Sequence, residues 1–469
     1  MLYHQLIENH LCDRIILSDA QGDYTYSELN ARARALGEYW HSQGIHPGDR
    51  IAVINDNTVR TVIALLACLA YGFIFVPITA GDIEEREYII SDCQPVLVLD
   101  GSLPELTPDE FPPRPVISAK TTGYILYTSG STSRPKGIVA SYASIIYCIE
   151  AINARLGNSE RDRILCCLPL SFDYGLYQIF LALRYSAALI LLPEGISLLE
   201  LPDILRKRQI TAFPVVPTLL RGLVRSHLLE RVRLPELRYI SSTGEVLEPQ
   251  LIAKAESCLP GTEVIPMYGL TECKRVSIMP FGQQDKKYAG SCGLPLPGVS
   301  VELDTIDPET GIGELIVYGP NVMNGYWGDA KTTAAVFGYD GHCRPFVRTG
   351  DLFTVDEEGY LYFKGRLKNL IKVRGHGVSG DAIEEQLHSL DGVRELRVLG
   401  LFDERDGERA CAFVYADDLS VEARIRAYSD HLPDFMKIKT IYLFDHPLPK
   451  NKNGKIDDAT LRQVICSHG

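Results

Sequence analysis

Apolar residues in the first half of the chain occur in short continuous runs, and helical patterns separate these runs. The runs predict strands at residues 50–54, 96–100, 163–168, 187–192, 210–216, 237–241 and 262–267. The patterns between them predict helices at residues 178–184, 198–208 and 249–258, after an earlier helix that has Ser27 as its N-cap and ends at Gly44. Continuous apolar strands that alternate with helices are typical of parallel sheets covered on both faces.

The longest apolar run, residues 61–80, contains no charged residue and is about as long as a membrane-spanning helix. Gly72 and Pro77 interrupt it, and residues 73–76 are β-branched or aromatic. These features favour a buried helix, a turn and a buried strand, so we expect no membrane span.

The pattern changes after Gly290. Strands at residues 299–303, 313–318 and 359–363, separated by Gly, Pro and Asp turns, predict a β-rich subdomain. From Gly365 onward a short α/β unit is predicted, with a helix at residues 381–389, strands at 397–401 and 410–415, and a helix at 421–431.

Composition narrows the class of protein. The chain has 469 residues, so two or three domains are expected. Its 47 Lys and Arg against 60 Asp and Glu give a net charge of −13, which argues against binding nucleic acid or an anionic membrane. Twelve cysteines without a C-x-x-C spacing, and a start without a signal peptide, predict reduced thiols in a cytoplasmic protein with no structural zinc.

The segment from Tyr124 to Gly137 is the strongest candidate for chemistry. An apolar strand runs into six Ser, Thr or Gly residues and then a basic cluster that includes Lys136. The backbone N–H groups and hydroxyls of such a loop can approach phosphate oxygens, and Lys136 adds a positive charge. The spacing is not that of a Walker loop, and composition alone also fits a solvated turn.

The residue sequence of this segment resembles the phosphate-loop signature Y-T-S-G-S-T-G-x-P-K-G of the adenylate-forming superfamily, with Ser133 in place of the third glycine. That superfamily contains acyl-CoA synthetases, nonribosomal peptide adenylation domains and firefly luciferase. Six further motifs of the superfamily follow in the same order: Ser242-Thr243-Gly244-Glu245-Val246-Leu247, Met267-Tyr268-Gly269-Leu270-Thr271-Glu272, Gly313-Glu314-Leu315 with Gly325-Tyr326-Trp327, Arg348-Thr349-Gly350-Asp351, Gly365-Arg366-Leu367-Lys368, and Pro449-Lys450-x-x-Asn453-Gly454-Lys455-Ile456-Asp457.

The resemblance implies ATP and Mg²⁺ as cofactors. It implies nucleotide contacts from Thr128, Ser129, Gly130, Ser131, Thr132, Lys136, Gly244, Glu245, Tyr268, Gly269, Asp351 and Arg366. It also implies catalytic roles for Lys455, Thr271 and Glu272, with Glu272 serving the metal. When a carboxylate attacks the α-phosphate, negative charge builds on the phosphorus centre, so cations and N–H donors are needed there.

The same resemblance implies an α/β fold with a multilayered large N-terminal domain, residues 1–364, that has parallel sheets and a β-rich subdomain. A small mobile α+β C-terminal domain, residues 365–469, would rotate about Lys368. This rotation would replace Lys455 with an acceptor loop that contains Gly375, Gly377 and Gly380.

That loop has a second reading. A strand, then Gly375-x-Gly377-x-x-Gly380 and a helix, matches a dinucleotide fingerprint, with Asp403 further on. Too little chain follows for the usual two-half sheet, which disfavours an NAD-dependent oxidoreductase. The loop also lacks the basic residue, the proline and the first glutamate that are usual in the superfamily, so the second substrate is left open.

The acyl pocket implied by the resemblance contains Phe172, Asp173, Tyr174, Tyr177, Met267, Arg275 and Val276. A buried Asp173 needs a cationic or hydrogen-bonding partner. A substrate ammonium would indicate an amino acid, as in amino-acid-activating relatives. A protein cation such as Arg275 or Lys274 would indicate a neutral fatty, aryl or cyclic acid. Asp173 also fits a helix N-cap.

We therefore expect an AMP-forming ligase that adenylates a small carboxylic acid and passes it to a thiol of CoA or of a carrier-protein phosphopantetheine. No carrier domain with a D-S-L serine follows, so a diffusible acceptor is expected: CoA, a stand-alone carrier protein or an amine. The alternatives are an amide synthetase and a non-catalytic nucleotide-binding protein.

Overall fold

The computed structural model describes residues 2–81, 83–101, 103–104, 106, 114–128, 134–283, 288–308, 310–373, 376–387, 390–403, 405, 407–416, 418–450 and 456–466. The chain divides into two compact units. The first unit comprises residues 1–301, 317–347 and 359–361, and the second comprises residues 302–316, 348–358 and 362–469. The predicted α/β class with parallel sheets is confirmed, whereas the predicted domain boundary after residue 364 stays a prediction.

The first unit begins with a five-stranded sheet in the order β5-β3-β4-β6-β7. Its strands pair in parallel except for the antiparallel pair β6–β7. The elements of this part of the chain are α1 (Leu2–Leu6), β1 (Ile15–Ser18), β2 (Asp23–Thr25), α2 (Tyr26–Ser42), β3 (Arg50–Ile54), α3 (Val59–Tyr71), β4 (Ile74–Ile78), α4 (Ile83–Cys93), β5 (Leu97–Leu99), β6 (Thr122–Thr128) and β7 (Lys136–Ser141).

A nine-stranded sheet follows, in the order β14-β13-β12-β11-β10-β8-β9-β1-β2. Its central strands β12, β11, β10, β8, β9 and β1 are all parallel. The new elements are α5 (Tyr142–Leu156), β8 (Arg163–Cys166), α6 (Asp173–Tyr185), β9 (Ala188–Leu191), α7 (Leu201–Lys207), β10 (Ala212–Val215), α8 (Pro217–Arg225), β11 (Tyr239–Ser242), α9 (Pro249–Cys258), β12 (Glu263–Tyr268), β13 (Ser277–Ile278) and β14 (Leu294–Pro295).

Helices α5 and α6 join these two sheets. They pack against each other, while α5 contacts β6 of the smaller sheet and α6 contacts β8 and β9 of the larger one. Both helices are apolar on most sides. Eleven of the thirteen residues of α6, Asp173–Leu183, are buried, because protein covers the helix nearly all round. Helices α7, α8 and α9 contribute to a separate core against β8, β10, β11 and β12.

The uncharged run at residues 61–80 has the predicted structure. It forms most of α3, ends that helix at Gly72 in the left-handed conformation (φ +78°) and continues as β4. Every residue of β4 is buried, and so is every residue of α3 except Arg60. Among the residues that the structure describes, no helix is long and apolar enough to cross a membrane.

A third sheet of five strands has the order β15-β16-β18-β17, with β19 paired to β18. It corresponds to the predicted β-rich subdomain, and its strands are divided between the two units along the chain. Its elements are β15 (Ser300–Asp307), β16 (Ile312–Tyr318), α10 (Ala330–Val336), β17 (Phe337–Tyr339), β18 (Pro345–Val355) and β19 (Leu361–Arg366).

The second unit is built on a mostly antiparallel sheet in the order β21-β20-β23-β22, with β24 parallel to β23. Helix α11 packs on β22, and residues of α12 complete the core on this sheet. The elements are β20 (Leu370–Val373), β21 (His376–Ser379), α11 (Gly380–Leu387), β22 (Val393–Asp403), β23 (Gly407–Ala416), α12 (Ser420–Asp430), β24 (Thr440–Phe444) and α13 (Asp458–Cys466).

Two local predictions differ from the structure. The N-cap of α2 is Thr25, not Ser27, because Thr25 and Glu28 form a reciprocal capping box. The predicted helix at 178–184 begins five residues earlier, at Asp173, because the polar residues at its start are buried and lie within the helix.

Candidate active site

The phosphate-loop segment is an antiparallel hairpin of β6 and β7. Thr128 and Lys136 face each other as the last and first residues of these strands. Ser129, Gly130, Ser131 and Thr132, which join the strands, lie outside the described residues. The hairpin places Lys136 beside the start of the loop, where its ammonium can reach a bound anion.

The segment at residues 324–327 pairs with the free edge of β7. The amide of Val139 donates to the carbonyl of Gly325 (3.0 Å), and the amide of Trp327 donates to the carbonyl of Gly137 (2.7 Å). This pairing brings Tyr326 against Lys136, whose Nζ lies 5.2 Å from the centroid of the Tyr326 ring.

Tyr326 also contacts the acid of the third motif. Its hydroxyl donates to Oε1 of Glu272 at 2.8 Å. Burial, and then the neighbouring Glu272 carboxylate, raise the pKa of the Tyr326 phenol, so the proton stays on the hydroxyl. Three motifs that are far apart in sequence, represented by Lys136, Tyr326 and Glu272, therefore meet within the first unit.

The carboxyl ends of β8, β10, β11 and β12 meet at one edge of the nine-stranded sheet, the edge where parallel sheets bind ligands. Gly244 and Glu245 follow β11 and are exposed, and Glu245 accepts a hydrogen bond from Thr218, which follows β10 (3.1 Å). The hydroxyl of Ser242 is buried there and has no hydrogen-bond partner among the described residues. Tyr268 ends β12 at the same edge.

The turn after Tyr268 is unusually tight. A Cβ on Gly269 would lie 1.9 Å from the carbonyl oxygen of Lys274 and 2.9 Å from the Cα of Arg275, so only glycine fits without moving the backbone. The side-chain amide of Asn321 stabilises the turn by donating to the carbonyls of Cys273 and Arg275, both at 3.1 Å. The turn holds Thr271, which is buried, and Glu272 in fixed positions.

A buried ionic cluster follows in the predicted acyl pocket. Asp173 is the first residue of α6 and 6% exposed, and its Oδ2 lies 3.9 Å from Nζ of Lys274, whose side chain is 2% exposed. The Lys274 ammonium also lies 5.0 Å from the ring of Tyr124 and 5.2 Å from that of Tyr177. Burial lowers the pKa of Lys274 to about 8, and the Asp173 carboxylate opposes this shift. The N-cap alternative for Asp173 is wrong, because Phe172 occupies that position.

Arg275 is also buried beside this cluster. Its guanidinium lies 4.7 Å from the centroid of the Tyr174 ring, and its Nη1 donates to the carbonyl of Lys274 at 3.0 Å. The Tyr174 hydroxyl shares a hydrogen bond with Ser241 (2.7 Å). Of the other predicted pocket residues, Met267 and Val276 are buried in this part of the unit, whereas Phe172 is 40% exposed.

The second unit contains the predicted ribose and hinge residues. Asp351 lies in β18, is 6% exposed and pairs with Arg366 (Nε to Oδ1, 3.2 Å). Lys368 lies two residues after Arg366, in a single 3-10 turn. Burial, and then the charge of Arg366, lower the pKa of the Lys368 ammonium.

A second ionic cluster holds that turn within the second unit. Asp381 accepts hydrogen bonds from the amide of Arg366 and the side chain of Asn369, at 2.9 and 3.1 Å. Arg397 of β22 pairs with Asp381 and Glu384 at 3.0 Å and with Asp458, at the start of α13, at 2.6 Å. One arginine therefore connects the turn that carries Lys368 to the segment that follows Lys455.

The acceptor-loop prediction is only partly described. Lys455 and Gly375 lie outside the described residues, Gly377 belongs to β21, and Gly380 begins α11. A dinucleotide fingerprint requires a strand that runs directly into a helix. In this protein the antiparallel strands β20 and β21 occupy that part of the chain instead. No group of three or more His, Cys, Asp or Glu residues in the described ranges could hold a metal ion by itself.

The sequence alone assigns no role to Tyr124, Tyr326 or Asn321. Tyr124 and Asn321 carry no signal that separates them from ordinary core residues. Tyr326 had one, since its G-Y-W motif was identified, but its contact with Glu272 depends on how β7 pairs.

Comparison with known proteins identifies the family. Residues 5–327 match the AMP-binding enzyme family, and residues 382–455 match the AMP-binding enzyme C-terminal domain. Bacitracin synthase 1 of Bacillus licheniformis is 27% identical over 98% of this chain, which spans only 9% of that synthase. The L-proline--[L-prolyl-carrier protein] ligase of Streptomyces coelicolor is 29% identical, with 92% of this chain and 90% of the ligase covered. The probable CoA ligase CCL5 of Humulus lupulus is 25% identical, with 94% and 88% covered.

Solved structures agree with this result. ATP-bound MatB from Rhodopseudomonas palustris has a TM-score of 0.86 and 26% identity, with 99% of this chain and 98% of that chain covered. The amide bond synthetase McbA from Marinactinospora thermotolerans has a TM-score of 0.84 and 25% identity, with 99% of each chain covered. Because the first family match spans more than half of its residues, the protein belongs to the AMP-binding enzyme family.

Proposed function

We propose that the protein is an AMP-forming ligase that adenylates a small carboxylic acid with ATP and transfers the acyl group to the thiol of CoA or of a carrier-protein phosphopantetheine. The contact of Lys136, Tyr326 and Glu272 carries this proposal, because it gathers a cation and a carboxylate from three separate motifs. The similarity to carrier-protein and CoA ligases supports the thiol as acceptor.

In the first step, a carboxylate oxygen of the acid forms a bond to the α-phosphorus of ATP, and the bond from that phosphorus to the bridging oxygen breaks. Pyrophosphate leaves. Lys136 and the Ser/Thr/Gly loop hold phosphate oxygens, while Lys455 would contact the carboxylate and an α-phosphate oxygen and stabilise the charge that builds there. Tyr268 would stack on the adenine, and Asp351 would accept from the ribose hydroxyls.

The carboxylate of Glu272 is suited to act as a magnesium ligand. Tyr326 occupies its Oε1, and no partner of its other oxygen is found among the described residues. Magnesium is commonly bound by one or two carboxylates together with substrate phosphates, so a single protein carboxylate suffices. When bound, Mg²⁺ would neutralise phosphate charge.

In the second step, the acceptor sulfur attacks the acyl carbon, AMP leaves with the bonding electrons, and the thiol proton passes to solvent. Rotation of the C-terminal domain about Lys368 would separate the two steps. The similarity to the amide bond synthetase McbA keeps an amine as a second candidate acceptor.

The test is exchange of labelled pyrophosphate into ATP, which requires a reversible first step. We expect exchange that depends on an added carboxylic acid and falls at least about 100-fold in Lys455→Ala, because the charge at the phosphorus loses a cation. Lys207→Ala, which removes an exposed lysine of α7, is the control and should exchange normally. Full exchange in Lys455→Ala would refute the catalytic assignment.

A further inference from the structure

The fully buried charges around Asp173 are two cations and one carboxylate. The half-buried Glu272 carboxylate also acts on Lys274 electrostatically, but its Oε1 accepts a hydrogen bond from Tyr326. Within the first unit, the cations of Lys274 and Arg275 are 2% and 5% exposed, and the carboxylate of Asp173 is 6% exposed. Asp173 can neutralise only one of the two cations. Arg275 has no carboxylate partner among the described residues, and its interactions are with a carbonyl and the ring of Tyr174.

Lys274 has unused hydrogen-bond donors in this cluster. Its Nζ makes no hydrogen bond to any described residue, since the Asp173 oxygen at 3.9 Å is too far for one. The nearby faces of Tyr124 and Tyr177 attract the cation but accept no ordinary hydrogen bond. A buried ammonium with three unsatisfied donors is costly, so an acceptor that is not part of the described chain is expected.

This arrangement disfavours a substrate that carries an ammonium group. Its natural partner, Asp173, already faces Lys274, and a third cation would be placed among two others in a site nearly closed to water. Like charges repel strongly where the dielectric constant is low. An oxygen atom has the opposite effect, because it can accept hydrogen bonds from Lys274.

We propose that Lys274 is a specificity-determining residue of the acyl pocket, and that the substrate is a carboxylic acid whose tail carries an oxygen acceptor and no ammonium group. A second carboxylate, a keto group and a hydroxyl share this chemistry. The inference rests on the proposed function, since it takes the residues around Asp173 as the acyl pocket.

The experiment is pyrophosphate exchange with matched acids on the full-length protein. For each carbon skeleton, small, branched and aromatic, five acids are compared: the unsubstituted acid, the hydroxy acid, the keto acid, the acid with a terminal second carboxylate, and the amino acid. We expect kcat/KM for an oxygen-bearing acid to exceed that for its amino counterpart by at least about 10-fold, as a hydrogen bond to a charged group would give. The three oxygen-bearing types distinguish which acceptor Lys274 binds.

Lys274→Met tests the residue itself. The ratio of kcat/KM for the oxygen-bearing acid to that for the unsubstituted acid should fall about 10- to 100-fold, mainly through KM. The double variant Asp173→Asn with Lys274→Met should show the same fall, and it guards against failure to fold because it leaves no unpaired carboxylate.

Two outcomes would overturn the inference while leaving the proposed function intact: a wild-type preference for amino acids, and an unchanged ratio in both folded variants. If none of the acids supported exchange, the proposed function would be overturned, and the inference with it.

Discussion

The turn at Gly269 offers a sharp test of the geometry of the candidate site. In Gly269→Ala the new methyl group would lie 1.9 Å from the carbonyl oxygen of Lys274, whereas ordinary contact is about 3.4 Å or more. The turn must therefore open by about 1.5 Å. Such overpacking against backbone should cost about 3 kcal/mol in the free energy of unfolding. Because the turn also carries Thr271 and Glu272, we expect about a 100-fold loss of pyrophosphate exchange.

Both quantities can be measured on one preparation, by urea unfolding and by exchange at saturating ATP. The matched control is Gly341→Ala, since Gly341 is exposed and a Cβ there would meet nothing within 4 Å. The control should change stability by no more than about 0.5 kcal/mol. Exchange within a few-fold of wild type in folded Gly269→Ala would show that the turn does not position the reacting groups.

Two further changes probe the hydrogen bond between Tyr326 and Glu272 and the ionic cluster around Arg397. Tyr326→Phe removes the hydrogen bond to Glu272 but keeps the ring beside Lys136. We expect kcat/KM for ATP to fall about 10-fold, while the melting temperature stays nearly unchanged. An unaffected kcat/KM would contradict the role of this contact. Burial raises the pKa of Glu384 from 4.5 to about 7 against the opposing charge of Arg397. The folded state therefore binds the extra proton between these values, and its stability should fall as pH rises from about 4.5 to above 7. Glu384→Gln should abolish this slope in urea unfolding across that range, and parallel profiles for the two proteins would disprove the assignment.

The fold was predictable where the apolar pattern is continuous. The strand at residues 50–54 and the helix at 249–258 have the predicted limits, because buried parallel strands and well-formed helix starts leave clear signals. Strand β18 was missed, since Arg348, Thr349 and Asp351 interrupt its apolar residues. Arg348 and Asp351 form ion pairs, and the Thr349 hydroxyl donates to a backbone carbonyl. A polar stretch of sequence can therefore be a strand when its side chains pair with residues of other strands.

The candidate site was predictable as a set of motifs but not as a set of contacts. The sequence named Lys274 only as one possible partner of Asp173, and the 3.9 Å separation depends on how α6 and the turn after β12 pack. Likewise, the contact of Lys136 with Tyr326 arises from strand pairing about 190 residues apart along the chain. Such distances follow from tertiary packing, which residue spacing does not encode.

The pairing of residues 324–327 with β7 also bears on how the protein behaves at high concentration. Strand β7 ends the five-stranded sheet, and an exposed row of unpaired backbone donors and acceptors would offer a template for a strand of another molecule. Val139 and Gly137 instead use their backbone groups on Gly325 and Trp327. At the opposite edge β5 has only three residues, which is too short to recruit a partner effectively. The segment that brings Tyr326 to Glu272 therefore also protects this sheet from edge-to-edge aggregation.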